Sequence, residues 1–141
     1  VEAIMKQGYS VYRSANIDTA DQGKLILICY DVAIMHCKQA IEKFDSYELT
    51  EERTKHIFKV QDAITELLSA LRLDVGEVAH NLYRLYDYML RNLVSASVNN
   101  DKSKVSEVLT YLESLRDAWM VAVQKVKAES ATNLEMTKMA V

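Results

Sequence analysis

The chain has no proline and only three glycines, Gly8, Gly23 and Gly76, in 141 residues. A backbone so rarely interrupted cannot make the many tight turns of a sheet protein. It has to be built from long helices joined by few connections. Half of its residues are hydrophobic and 26% are charged, which is globular composition rather than that of a disordered chain.

Capping signals divide the chain. T-A-D-Q at 19–22 reads as a capping box opening a first helix that runs to about residue 45. Residues 46–50 form a short connection. Thr50 is expected to cap a second helix, with Glu51 and Glu52 in the first turn, where the helix dipole favours acids. Its apolar seam is Ile57, Val60, Ile64, Leu67 and Leu71, and it ends near Leu73. D-V-G-E at 74–77 opens a third helix to about Val98, with the seam Val78, Leu82, Leu85, Met89, Leu93 and Ala96. N-N-D at 99–101 is a turn and a cap. The fourth helix carries Val105, Val108, Leu112, Leu115, Trp119, Ala122 and Val126. Short connections place sequence neighbours antiparallel. The expected fold is therefore all-α: an antiparallel up-down four-helix bundle over residues 19–129. Residues 1–18 form an N-terminal arm or short capping helix, and 130–141 a flexible C-terminal tail.

A net charge of −3 and a pI near 5.6 give no support to a nucleic-acid ligand, which needs a basic face. No apolar run reaches the length that spans a membrane, and the N-terminus lacks the pattern of a secretory signal. Cys29 and Cys37 lie about 12 Å apart along one helix, beyond the reach of a disulfide. They read as packed thiols of a protein in the reducing cytoplasm. A two-metal carboxylate bundle needs two Glu-x-x-His pairs, and the chain has one, Glu77 with His80. Nothing in the sequence places two of the three histidines together, and no phosphate loop or nucleophile elbow occurs. No catalytic residue, metal site or cofactor is expected.

The first helix carries more apolar surface than one core contact needs. One stripe is Leu25, Ile28, Val32 and Met35; another is Ile26, Tyr30, Ala33, Cys37, Ile41 and Phe44. Asp31 lies between them, either solvated, facing a polar partner across the bundle, or contacting a ligand backbone. In the third helix, N-L-Y-R-L-Y-D-Y-M-L-R-N-L at 81–93 puts Tyr86 beside the seam, with Tyr83 and Tyr88 on its two flanks. A groove bordered by such rings suits an amphipathic partner segment.

Five ordered blocks resemble the flagellar secretion chaperone family FliS. They are Tyr9 and Tyr12 in the arm; T-A at 19–20 with K-L-I-L-I-C-Y-D-V-A-I at 24–34; Q-D-A-I-T-E-L at 61–67; the run from Leu71 to Met89; and L-R-D-A-W at 115–119. Cys29 and Val32 depart from the family's usual leucine and glycine around its Y-D pair. The resemblance implies a cytoplasmic export chaperone without enzymatic activity. It implies binding of the disordered C-terminal segment of flagellin, protection from premature polymerisation, and delivery to the flagellar type III export apparatus and its gate components. On that reading Ile26, Tyr30, Ile34, Ile41, Tyr83 and Tyr88 line or border the partner surface, and Tyr9, Tyr12 and Ile17 in the arm cover it. Leu82, Leu85, Met89, Leu115 and Trp119 belong to the core. The competing readings are a generic helical adaptor for another amphipathic segment and, further off, a ferritin-like metal-carboxylate protein.

Overall fold

A computed structural model of the chain describes residues 19–140. The expected arm, with Tyr9, Tyr12 and Ile17, lies outside the described residues. Four long helices make up the fold: α1 (Thr19–Ile41), α2 (Thr50–Ser69), α3 (Glu77–Asn99) and α4 (Lys102–Met139). Single 3-10 turns, Tyr47–Leu49 and Leu73–Val75, punctuate the first two connections. Around the bundle α1 neighbours α2 and α4, and α3 neighbours the same two from the opposite corner.

Cross-helix bonds show the antiparallel sense. On α1, Gly23 O accepts from Trp119 Nε1 at 3.0 Å, and one step further along Asp31 meets Arg116, earlier on α4. Arg53 at the start of α2 bonds Asn100 just past the end of α3.

The seam residues Ile57, Val60, Ile64 and Leu67 of α2 are fully buried, as are Val105, Val108, Leu112, Trp119 and Ala122 of α4. Leu71, Val78 and Leu85 pack at the border of the core. Tyr86, expected at the edge of its seam, is completely buried. Its hydroxyl meets that of Tyr30, also buried, at 2.6 Å across the bundle diagonal. In that bond one hydroxyl donates and the other accepts, which lowers the cost of placing both phenols in an apolar interior. Burial first, and then its partner, hold the Tyr30 phenol well above the ordinary tyrosine value.

The turns divide by how local their chemistry is. At 99–101 Asn100 adopts the left-handed conformation, φ 52°, that asparagine tolerates. Asp101 then caps α4 by accepting from Ser103 N at 3.0 Å. Gly76 opens α3 at φ 127°, where a side chain would strain the backbone. Two caps differ from expectation. Thr50 is already inside α2 and its hydroxyl donates to Tyr47 O at 2.7 Å. Thr19 is already inside α1, and Gln22 Oε1, expected to complete a capping box, is buried with no hydrogen-bond partner among the described residues.

Helix ends also shift. α1 stops at Ile41 and α2 at Ser69, each about a turn before its expected end, while α4 runs on to Met139 where a tail was expected. Its 38 residues span about 57 Å. The other helices are two-thirds of that length or less, so the far end of α4 projects beyond them and residues 127–140 are exposed.

Candidate functional site

The apolar surplus of α1 is real, but its two stripes are allotted the other way round. Ile26, Tyr30 and Ile34, expected to line a partner surface, are buried in the core with Ala33, Cys37, Ala40 and Phe44. Ile41 is half-buried against the same cluster. The inward stripe is the one that continues to the helix end and carries small residues, Ala33, Cys37 and Ala40. Small residues let neighbouring helices approach closely. The outward stripe stops at Met35, after which Lys38, Gln39, Glu42 and Lys43 share the outer surface. That difference in length was the available signal.

What remains outside is Leu25 at 49% exposure, Ile28 at 55%, Val32 at 36% and Met35 at 50%. Their spacing of three, four and three residues puts them on one line nearly three turns long, pointing away from the bundle. On the α4 side of α1 a mostly apolar cleft lies among Gly23, Leu27, Met120 and Val123, with Lys24, Gln124 and Lys127 also lining it.

Tyr83 and Tyr88 stand part-exposed on α3, on the two flanks that helical phase assigns them. Tyr88 donates to Glu107 Oε1 at 2.6 Å, and buried Asn92 gives its Nδ2 to Glu107 Oε2 at 3.1 Å. Tyr111 meets the Tyr88 ring edge-on at 6.2 Å. Receiving its hydrogen bond, the Glu107 carboxylate pushes the Tyr88 phenol above its usual value. Because α1 and α3 occupy opposite corners, these tyrosines and the α1 stripe face different sides of the bundle. Asp31 has the polar partner across the bundle: its Oδ1 accepts from Arg116 Nε at 2.6 Å.

Two histidines do meet, contrary to the sequence reading. His36 of α1 and His56 of α2, twenty residues apart in the chain, bring their Nδ1 atoms within 2.9 Å. Antiparallel helix pairing makes neighbours of residues whose distance in sequence carries no periodic signal. Whichever ring holds the Nδ1 hydrogen, the other must accept it, so the pair is satisfied only while one ring is neutral. The pKa of His36 is lowered chiefly by burial and further by the nearby His56 and Lys59. A base with a depressed pKa binds protons less readily folded than unfolded. Its contribution is present above the unfolded value of about 6.5 and is lost as pH falls through the folded one. The urea midpoint of the native chain should therefore drop between pH 7.5 and 5.5 by more than that of His56→Ala. Equal drops would show that the pair does not titrate with folding.

Cys37 is buried and its thiol is pushed up to about 12 by that burial and by Glu113, so it packs as a neutral side chain. Among the described residues no three of His, Cys, Asp and Glu group as metal ligands.

The described residues thus form a helical bundle with a part-exposed apolar stripe on α1 and part-exposed tyrosine rings on α3. The chain belongs to the FliS family of flagellar proteins, whose match covers residues 5–126. It is similar to the flagellar secretion chaperone FliS of Bacillus subtilis (strain 168), with 30% identity over 121 residues, 86% of this chain and 90% of that one. It is similar to the flagellar secretion chaperone FliSB of Pseudomonas aeruginosa, with 32% identity over 116 residues, 82% and 91% of the two chains. The flagellar secretion chaperone FliS of Salmonella typhimurium is 28% identical over 119 residues, 79% and 87% of the two. These relatives are named as chaperones, not as enzymes.

Proposed function

We propose that this protein is a cytoplasmic flagellar export chaperone. It holds the disordered C-terminal segment of flagellin, keeps it from polymerising early, and delivers it to the type III export apparatus and its gate components. The observation that carries the reading is the part-exposed apolar stripe Leu25, Ile28, Val32 and Met35, in a chain of this family. A disordered client loses about 2–5 kcal/mol or more on ordering, so it needs contiguous apolar surface to compensate. A helical piece of the client places its own apolar face along the α1 stripe. Tyr83 and Tyr88 border a second contact. A segment reaching both has to pass round the bundle, a path of about 30–40 Å for helices packed 8–10 Å apart, or about ten extended residues. No helix among the described residues is long and apolar enough to cross a membrane.

Calorimetric titration of the full chain with a flagellin C-terminal peptide tests the reading. One-to-one binding is expected, with a negative heat-capacity change and a gain of helical circular dichroism beyond the sum of the parts. Absence of binding at tens of micromolar peptide would end it. Equal affinity for an unrelated amphipathic helix would favour a general adaptor instead.

A further inference from the structure

A cavity of about 490 Å³ lies at the end of the bundle where α1 turns into α2, and the chaperone reading does not use it. Phe44, Asp45, Tyr47, Thr50, Arg53 and Asn100 line it. Arg53 is the unusual member: only 4% of it is exposed, yet among the described residues it has no carboxylate partner. Among the described residues its cation is met by neutral groups. Nη1 donates to Asn100 Oδ1 at 2.6 Å, and the Phe44 ring lies 4.4 Å from the guanidinium carbon. Nε is buried with no hydrogen-bond partner among the described residues. A guanidinium grips a carboxylate with two parallel bonds. With Nη1 held by Asn100, the edge left for that grip is the one formed by Nε and Nη2.

The rest of the cavity suits the same ligand. Tyr47 is 93% exposed, a ring with almost no cover at the mouth. Asp45 on the rim would oppose an incoming carboxylate, but Lys102 in the first turn of α4 meets it at 3.6 Å and offsets its charge. A buried guanidinium with no carboxylate partner among the described residues, beside an open aromatic ring, suits an anionic group. We propose that this cavity binds a carboxylate carried on a polypeptide next to an apolar side chain. Arg53 receives the carboxylate, and Phe44 and Tyr47 take the apolar group. Two sources share this chemistry, an acidic side chain within a segment and the carboxylate at a chain end. The site is independent of the flagellin reading, because small carboxylates suffice to test it.

Nitrogen-labelled full-length protein is titrated with three probes while the Arg53 Nε–H and Asn100 side-chain amide resonances are followed by NMR. The probes are N-acetyl-leucine, with a chain-end carboxylate; the α-amide of N-acetyl-aspartic acid, with a side-chain carboxylate; and N-acetyl-leucinamide, with neither. Saturable shifts at Arg53 and Asn100 are expected from at least one carboxylate and not from the amide. Response to the first alone identifies a chain end as ligand, response to the second alone an acidic side chain, and response to both the carboxylate in general. No saturation with either acid, equal response to the amide, or shifts spread over the surface lysines would overturn the proposal. Arg53→Lys, which keeps the charge and loses the fork, should weaken binding about tenfold. Asn100→Asp supplies a carboxylate from within the chain, so it should raise Tm and abolish probe binding. Either variant binding as tightly as the native chain would also overturn it, and Asn100→Asp carries the test alone if Arg53→Lys does not fold.

Discussion

Replacing Ile28 with glutamate and Val32 with lysine in one chain should weaken binding of the flagellin C-terminal segment by about a hundredfold. Both side chains are part-exposed in the free protein, so completing their burial contributes about 1 kcal/mol each. Forcing two ionised groups against an apolar client helix adds a desolvation cost of at least about 1 kcal/mol. Three kcal/mol in sum is about two decades in affinity. Stability should barely move. Substitutions at exposed helical positions usually stay within about 0.5 kcal/mol, and a glutamate four residues before a lysine is the favourable orientation of a helical ion pair. Calorimetry with the client peptide, beside a urea melt of the free variant, separates the two effects. A variant that folds normally and keeps native affinity would remove the α1 stripe from the binding surface.

The second large effect is on folding. Trp119→Ala should lower unfolding free energy by about 3–5 kcal/mol, the usual loss when a buried aromatic is truncated. Trp119 is fully buried, and its Nε1 donates to Gly23 O across α1 and α4, so truncation leaves both a cavity and a buried carbonyl without that donor. Against a typical total of about 5–15 kcal/mol this is a large fraction. Trp119→Phe keeps much of the volume and loses the donor, and should cost less than half as much. Urea denaturation of the three chains at one pH is the check. A loss under about 1 kcal/mol in Trp119→Ala would mean that α1 does not depend on this contact. Since α1 carries the outward stripe, the alanine variant should also lose client affinity in proportion to the population it unfolds.

How legible the fold was depends on how local each signal is. The N-N-D turn at 99–101 was readable because a left-handed asparagine and an aspartate cap act within three residues. The seams of α2 and α4 were readable because their spacing alone defines a face. Periodicity puts Tyr86 at the edge of its seam, whereas its burial depends on a hydroxyl-to-hydroxyl bond with Tyr30, 56 residues away. The pairing of His36 with His56 and of Asp31 with Arg116 likewise rests on which helices adjoin. The far end of α4 was expected as a tail because its apolar pattern weakens after Val126. Helix continuation is nevertheless cheap when neither proline nor glycine interrupts it.

The sequence by itself determined that the chain is helical, where three of its connections fall, that α1 has two apolar stripes, and, through five ordered blocks, its family. Periodicity at ~100° per residue defines the faces of a helix, but it does not say which of two apolar faces looks inward. Only the tertiary structure decided that Ile26, Tyr30 and Ile34 build the core while Leu25, Ile28, Val32 and Met35 stay part-exposed. It also set the buried Arg53 beside a cavity, with no acid paired to it among the described residues. Both outcomes follow from where the neighbouring helices lie, a matter of contacts between residues distant along the chain.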